Sequence, residues 1–201
     1  MANAPEARKN ATAVWAGDRL IVWGGKGAFG ELGTGAQLPF SNGLPVAWTA
    51  LSATNAPSAR SAHSAVWTGS RMLVWGGEVG SSPLGDGSSY NPQANIWQAL
   101  NPTNAPAARR DHAALWTGSD MVVTCGANAS GPLSTSAAYD PVTAQWRTLG
   151  SSGAPVARSV PGAVWSGTEI ILFGGRLNGA QPVAALQRLV PQSAWYFYRK
   201  L

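Results

Sequence analysis

The chain has 201 residues, 45% of them hydrophobic, enough apolar material for a sizeable core. Its formal net charge is +5, yet charged residues make up only 11% and no Lys/Arg run exceeds two, so the basic stripe that nucleic-acid binding requires is missing. One cysteine excludes an intrachain disulfide framework, and no stretch approaches the length of a membrane span.

Asn3-Ala-Pro-Glu-Ala-Arg8 opens a motif that returns at Asn55, Asn104 and Gly153. Each copy has Ala-Pro, then Ala-Arg, then a tryptophan, a glycine two residues later, and an apolar run that ends in glycine. Trp67, Trp116 and Trp165 are 49 residues apart, whereas Trp15 and Trp67 are 52 apart, so the first repeat carries three extra residues between Gly25 and Trp48. The second tryptophan series, Trp48, Trp97, Trp146 and Trp195, keeps the same 49-residue spacing. A fixed period of this size signals an array in which each unit buries its faces on its neighbours.

Each unit is predicted to hold four short strands. The first, such as Ala62 to Trp67, is rich in small residues, which suits a crowded innermost position. A tight turn such as Thr68-Gly69-Ser70 leads to the second strand, Met72–Trp75, with counterparts Leu20–Trp23, Met121–Thr124 and Ile170–Phe173. A strand with one wet face would alternate, and these runs are continuously apolar, which predicts burial on both faces. The third strand ends near Tyr90 or Tyr139, and a proline turn precedes a fourth strand with Trp97 or Trp146. The units so defined span about 9–51, 61–100, 110–149 and 159–201 within one array over 1–201.

Four-stranded units with two buried faces are propeller blades, so the fold class is all-β. Paired glycines (Gly24-Gly25, Gly76-Gly77, Gly174-Gly175), Tyr90-Asn91-Pro92, Tyr139-Asp140-Pro141 and the fourth-strand tryptophans resemble the kelch-repeat β-propeller family, over nearly the whole chain. Three departures stand out: Cys125-Gly126 in place of Gly-Gly, and Ser41 and Arg188 where a tyrosine is expected, which predicts distorted third strands in the first and last blades. Cys125 itself reads as a buried, inert thiol.

The segments 26–36, 78–88, 127–137 and 176–186 differ between copies and belong on one face, where they are either solvated linkers or the carriers of binding specificity. An arginine precedes every first strand: Arg8, Arg60, Arg109 and Arg158. They are either architectural, bonding backbone carbonyls, or the ligand-binding ring of an anion-binding mouth, and the family resemblance implies contact with acidic partners. The histidines His63 and His112 occupy the same position in adjacent blades, with Asp111 beside the second. They either bond the backbone or, with Asp111, hold zinc or another divalent metal; otherwise no cofactor is expected. Ser64 beside His63 makes no catalytic pair, because adjacent strand residues point to opposite faces.

The leading expectation is a non-catalytic scaffold that recognises a protein segment, glycan or small anion, with neither nucleic acid nor membrane as partner. The alternatives are a metal-dependent hydrolase of anionic esters at the channel and a structural fragment of a larger propeller. No signal peptide precedes the first repeat. The connector at residues 3–8 has no blade before it, which points to more sequence upstream and to an export signal lost with it. Four blades either close on themselves or are completed by a second chain, as a homodimer closing a ring.

Overall fold

The computed structural model describes residues 3–150, 154–178 and 181–191. Four antiparallel sheets follow one another along the chain. Blade one contains β1 (Thr12–Trp15), β2 (Arg19–Trp23), β3 (Gly35–Ser41), β4 (Leu44–Pro45) and β5 (Thr49–Ala50). Blade two contains β6 (Ser64–Trp67), β7 (Met72–Trp75), a small hairpin of β8 (Glu78–Val79) and β9 (Ser82–Pro83), then β10 (Gly87–Asn91) and β11 (Ile96–Ala99). Blade three repeats this with β12 (Ala113–Trp116), β13 (Met121–Thr124), the hairpin β14 (Ala127–Asn128) and β15 (Gly131–Pro132), β16 (Ser136–Asp140) and β17 (Gln145–Thr148). Blade four shows β18 (Gly162–Trp165), β19 (Ile170–Phe173) and β20 (Leu186–Leu189). Its expected fourth strand around Trp195 lies outside the described residues. Among the described residues no helix is long and apolar enough to cross a membrane.

The first strands are innermost, as their small side chains require: β1 packs on β6, β6 on β12 and β12 on β18. Every residue of β7 and β13 is buried, which is what the continuous apolar runs predict for strands covered on both faces. Three apolar cores fill the three junctions. Between blades one and two, Val14, Ile21 and Trp23 meet Met72, Val74, Tyr90 and Trp97. Between two and three, Val66, Leu73 and Trp75 meet Met121, Val123, Tyr139 and Trp146. Between three and four, Val122 and Cys125 meet Ile170, Leu172 and Leu189.

Register corrects two expectations. Tyr90 pairs with Met72 and Tyr139 with Met121; the residues that pair with the equivalent Leu20 and Ile170 are Leu38 and Leu189, not Ser41 and Arg188. Both leucines are buried, so apolar packing replaces the aromatic ring. The third strand of blade one is continuous and longer than its counterparts. The three extra residues of that repeat extend its turn-side end, where β4 folds back on Phe40 and Ser41.

Cys125 sits at φ 60°, a conformation that glycine holds at Gly24 and Gly76. A Cβ at Gly24 would stand 2.5 Å from Cε1 of His63, and one at Gly76 would stand 2.7 Å from Cε1 of His112. In the next blade Pro161 takes the histidine position, so no imidazole stands there against the cysteine side chain. Burial pushes the Cys125 thiol upward, in keeping with an inert core residue.

Candidate functional site: the loop-side mouth

The array has two ends. The turns Thr68-Gly69-Ser70 and Asn91 to Asn95 lie at one; the loops that join second and third strands lie at the other, together with the blade-to-blade connectors. The repeated arginines stand just inside the loop-side end. Arg60, Arg109 and Arg158 are fully buried and Arg8 is half-buried.

Their partners repeat from blade to blade. Nη1 donates to the carbonyl that ends the second strand: Gly24 at 2.9 Å, Gly76 at 3.1 Å, Cys125 at 2.9 Å and Gly174 at 2.9 Å. The same nitrogen donates to the carbonyl that precedes the third strand: Thr34 at 2.7 Å, Asp86 at 3.1 Å, Thr135 at 2.9 Å and Ala185 at 3.3 Å. Nε donates two residues back, to Glu6, Ser58, Ala107 and Val156. Nη2 is taken by Thr34, by Ser58 and Asp86, by Thr135 and by Gln187. Each guanidinium thereby ties a connector to the splayed ends of its own second and third strands. This geometry fits the architectural role and turns the donor forks inward.

The histidines also serve the junctions. His63 Nε2 lies 2.8 Å from Thr12 Oγ1, and His112 Nε2 lies 2.7 Å from Ser64 Oγ, each bond crossing from one blade to the one before. Each ring meets a tryptophan of the previous blade edge-on, His63 on Trp23 at 5.1 Å and His112 on Trp75 at 5.3 Å. Burial drives both imidazoles down to about 3, helped by Arg60 for His63 and by Arg109 and His63 for His112, so both rings are neutral at pH 7. Asp111 faces Arg110 at 3.2 Å. Among the described residues no group of three or more His, Cys, Asp or Glu side chains is suited to hold a metal ion, and His63, His112 and Asp111 are not brought together as one.

A second set of residues, from buried Ser61 and Ala127 to exposed Lys9 and Arg176, lies beside the framework arginines at this mouth. In every blade the residue just after the framework arginine bridges the residue just after the strand-ending glycine: Lys9 with Lys26, Ser61 with Glu78, Arg110 with Ala127, Ser159 with Arg176. Lys26 Nζ bonds Glu31 at 3.0 Å, which holds that carboxyl low. Arg110 Nε lies 3.0 Å from Glu78 Oε2 in the neighbouring blade, within ion-pair distance though not aligned as a hydrogen bond. Burial foremost pushes the Glu78 carboxyl up, against the pull of Arg110. Lys9 and Arg176 are exposed, and Phe29, at the tip of the first loop, is fully exposed. Reasoning from sequence fixed on the invariant arginines and passed over these positions. The signal was present: they vary in charge from copy to copy while the residue before each, arginine or glycine, is the same in all four.

A different cleft, of 620 Å³, opens at the turn-side end between blades two and three, lined by Trp116, Asp120, Asp140, Val142, Trp146 and Arg147. Its charged walls are largely engaged, since Arg147 pairs with Asp120 at 3.0 Å and Asp140 accepts bonds from the backbone of Val142 and Thr143.

The KLHDC2/KLHL20/DRC7 Kelch-repeats domain matches this chain over residues 1–175. No curated relative matches at a significant level. Kelch propellers are commonly protein-binding scaffolds that mediate protein interactions. With four antiparallel repeats on one inner row of strands, and a family match over most of its length, the chain belongs to the kelch-repeat family of β-propellers.

Proposed function

We propose that this chain is a non-catalytic scaffold that recognises an acidic protein segment at its loop-side mouth. The observation that carries this reading is the row of bridge positions. There the invariant frame presents residues that differ from blade to blade: Lys26 is paired with Glu31 and Arg110 with Glu78 and Asp111, while Lys9 and Arg176 stand exposed. Exposed cations such as Lys9 and Arg176 steer an acidic partner and fix its register. Phe29 adds a fully exposed ring of the kind that anchors interfaces once a partner covers it. The framework arginines of the sequence-level expectation take part indirectly, by fixing the loops that carry these residues.

The test is fluorescence anisotropy with a labelled Glu-rich peptide carrying one leucine, against a Gln-rich peptide of equal length. The acidic peptide is expected to bind better, and the preference should fade as salt rises. Phe29→Ala and the pair Lys9→Glu, Arg176→Glu are each expected to weaken it about tenfold, or roughly 1.4 kcal/mol. Arg71→Glu, near the turn-side end, should leave binding unchanged. Equal binding of both peptides, or equal loss from Arg71→Glu, would count against the reading.

A further inference from the structure

The three internal junctions share a pair of backbone hydrogen bonds. The glycine after the second strand donates forward to the next blade's framework arginine carbonyl: Gly25 to Arg60 at 2.8 Å, Gly77 to Arg109 at 2.9 Å, Gly126 to Arg158 at 2.8 Å. The residue two after each arginine donates backward to its equivalent: Ala62 to Asn10 at 3.1 Å, Asp111 to Ala62 at 3.1 Å, Val160 to Asp111 at 2.7 Å. All four of these residues adopt positive φ, from 50° at Val160 to 55° at Asp111. Even the β-branched Val160 holds this unfavourable conformation, so the ladder sets the backbone there.

Among the described residues the ladder stops at both ends: at blade four, the Gly175 N–H and the Val160 carbonyl have no such partner, and at blade one the Arg8 carbonyl and the Asn10 N–H have none. The loose ends complement each other: Gly175 is a donor facing the role of Arg8, and Val160 an acceptor facing the role of Asn10. Among the described residues, β18 and β1 do not pack on each other as the other inner strands do.

The apolar faces end in the same way. Val66 and Trp75 are 6% and 1% exposed inside the array, whereas their blade-four equivalents Val164 and Phe173 are each 58% exposed. At the other end Trp15 is 53% exposed, while its equivalent Trp67 packs against the first core. Beside Trp48 a cleft of 520 Å³ is open, lined also by Asn3, Pro5, Arg8 and Ala36. In blade two the matching position is occupied, because the preceding connector runs past Trp97 and the Ser52 carbonyl accepts its indole N–H at 3.0 Å.

We propose that these two ends are the halves of a further junction of the same kind, made between two copies of the chain. Blade four of each copy covers blade one of the other, and the pair forms an eight-bladed ring about a two-fold axis. The occupant is a second copy because blade four's bare face is of the type that already receives three following blades, and blade one's is of the type that already sits on three preceding ones. Two copies give eight blades at about 45° each, the upper end of the usual range, whereas three would far exceed it. Each loose backbone group finds its complement, and both apolar faces leave water twice over.

Size-exclusion chromatography with light scattering, at micromolar concentration of the full chain, tests the proposal. A species of twice the chain mass of 20.8 kDa is expected. Phe173→Glu and Trp15→Glu should each give the single-chain mass with an unchanged far-UV circular dichroism spectrum, because each face is needed at both junctions. Should Phe173→Glu fail to fold, Val164→Asp probes the same face. A wild-type species of single-chain mass overturns the proposal, as does one of three or more chains. A dimer that survives Trp15→Glu but not Phe173→Glu would mean that like ends meet, and also overturns it.

Discussion

Lowering the pH from 7 to 5 is expected to destabilise the fold steeply, before most carboxylates titrate. His63 and His112 are held neutral at the junctions, their pKa values drawn from 6.5 down to about 3 by burial and then by the neighbouring guanidinium groups. An unfolded chain returns both rings to the ordinary value. Between about pH 6.5 and 3 the unfolded state therefore binds one more proton per ring, and linkage makes stability fall as protons are added. The stability is fully present above pH 6.5 and is lost progressively towards pH 3, by about 1.4 kcal/mol per pH unit for each ring. Protonation also has a visible structural cost. An imidazolium donates from both nitrogens, and Arg60 and Arg109 already supply positive charge nearby. Urea titrations at pH 7, 6 and 5 measure the slope. The double variant His63→Gln, His112→Gln should flatten it, and a wild-type slope near zero would show that both rings are solvated.

Arg109→Ala is expected to cost about 3 kcal/mol or more, because each buried acceptor left without its donor costs roughly 1–3 kcal/mol. The guanidinium is fully buried and donates to the carbonyls of Ala107, Cys125 and Thr135, so its removal leaves three acceptors without it. Burial lowers its pKa to about 10, which still leaves it charged at neutral pH. Lysine should not rescue the variant, since one ammonium cannot span the connector and both strand ends as a planar fork does. Arg8→Ala is the internal comparison: the same bonds exist, but the group is half-exposed and water can replace it, so the loss should stay near 1 kcal/mol. Denaturant titration monitored by tryptophan fluorescence checks both. A loss below about 1 kcal/mol for Arg109→Ala would mean that the guanidinium is free to serve a ligand instead.

The frame was legible because its physics is local and repeated. Met72–Trp75 and Met121–Thr124 end where their apolar runs end, and Gly76-Gly77 marks the loop that follows. What sequence could not show was direction. The spacing places Arg60 and Arg109 near the axis, but whether a guanidinium points into a channel or back at Gly76 and Cys125 depends on how far strands two and three splay. His63 and His112 were legible as equivalents, but their partners Thr12 and Ser64 lie on another blade, 51 and 48 residues away. Tyr90 misled for a different reason. Its place in blade one is found by pairing with Leu20, and the longer hairpin of that repeat shifts any count taken from the tryptophan. The charged bridge positions escaped notice because repetition draws the eye to what is constant, and their information lies in what varies.

In the proposed scaffold the invariant arginines build the frame while the variable residues beside them face the partner. Arginine labelling of the native protein by a dicarbonyl reagent, read residue by residue by mass spectrometry, tests it most directly. Arg176 should react readily in the folded state, and Arg60, Arg109 and Arg158 should react only after denaturation. Labelling of Arg60 and Arg109 in the native fold as fast as Arg176 would contradict the claim and return the arginine ring to the mouth as a ligand site.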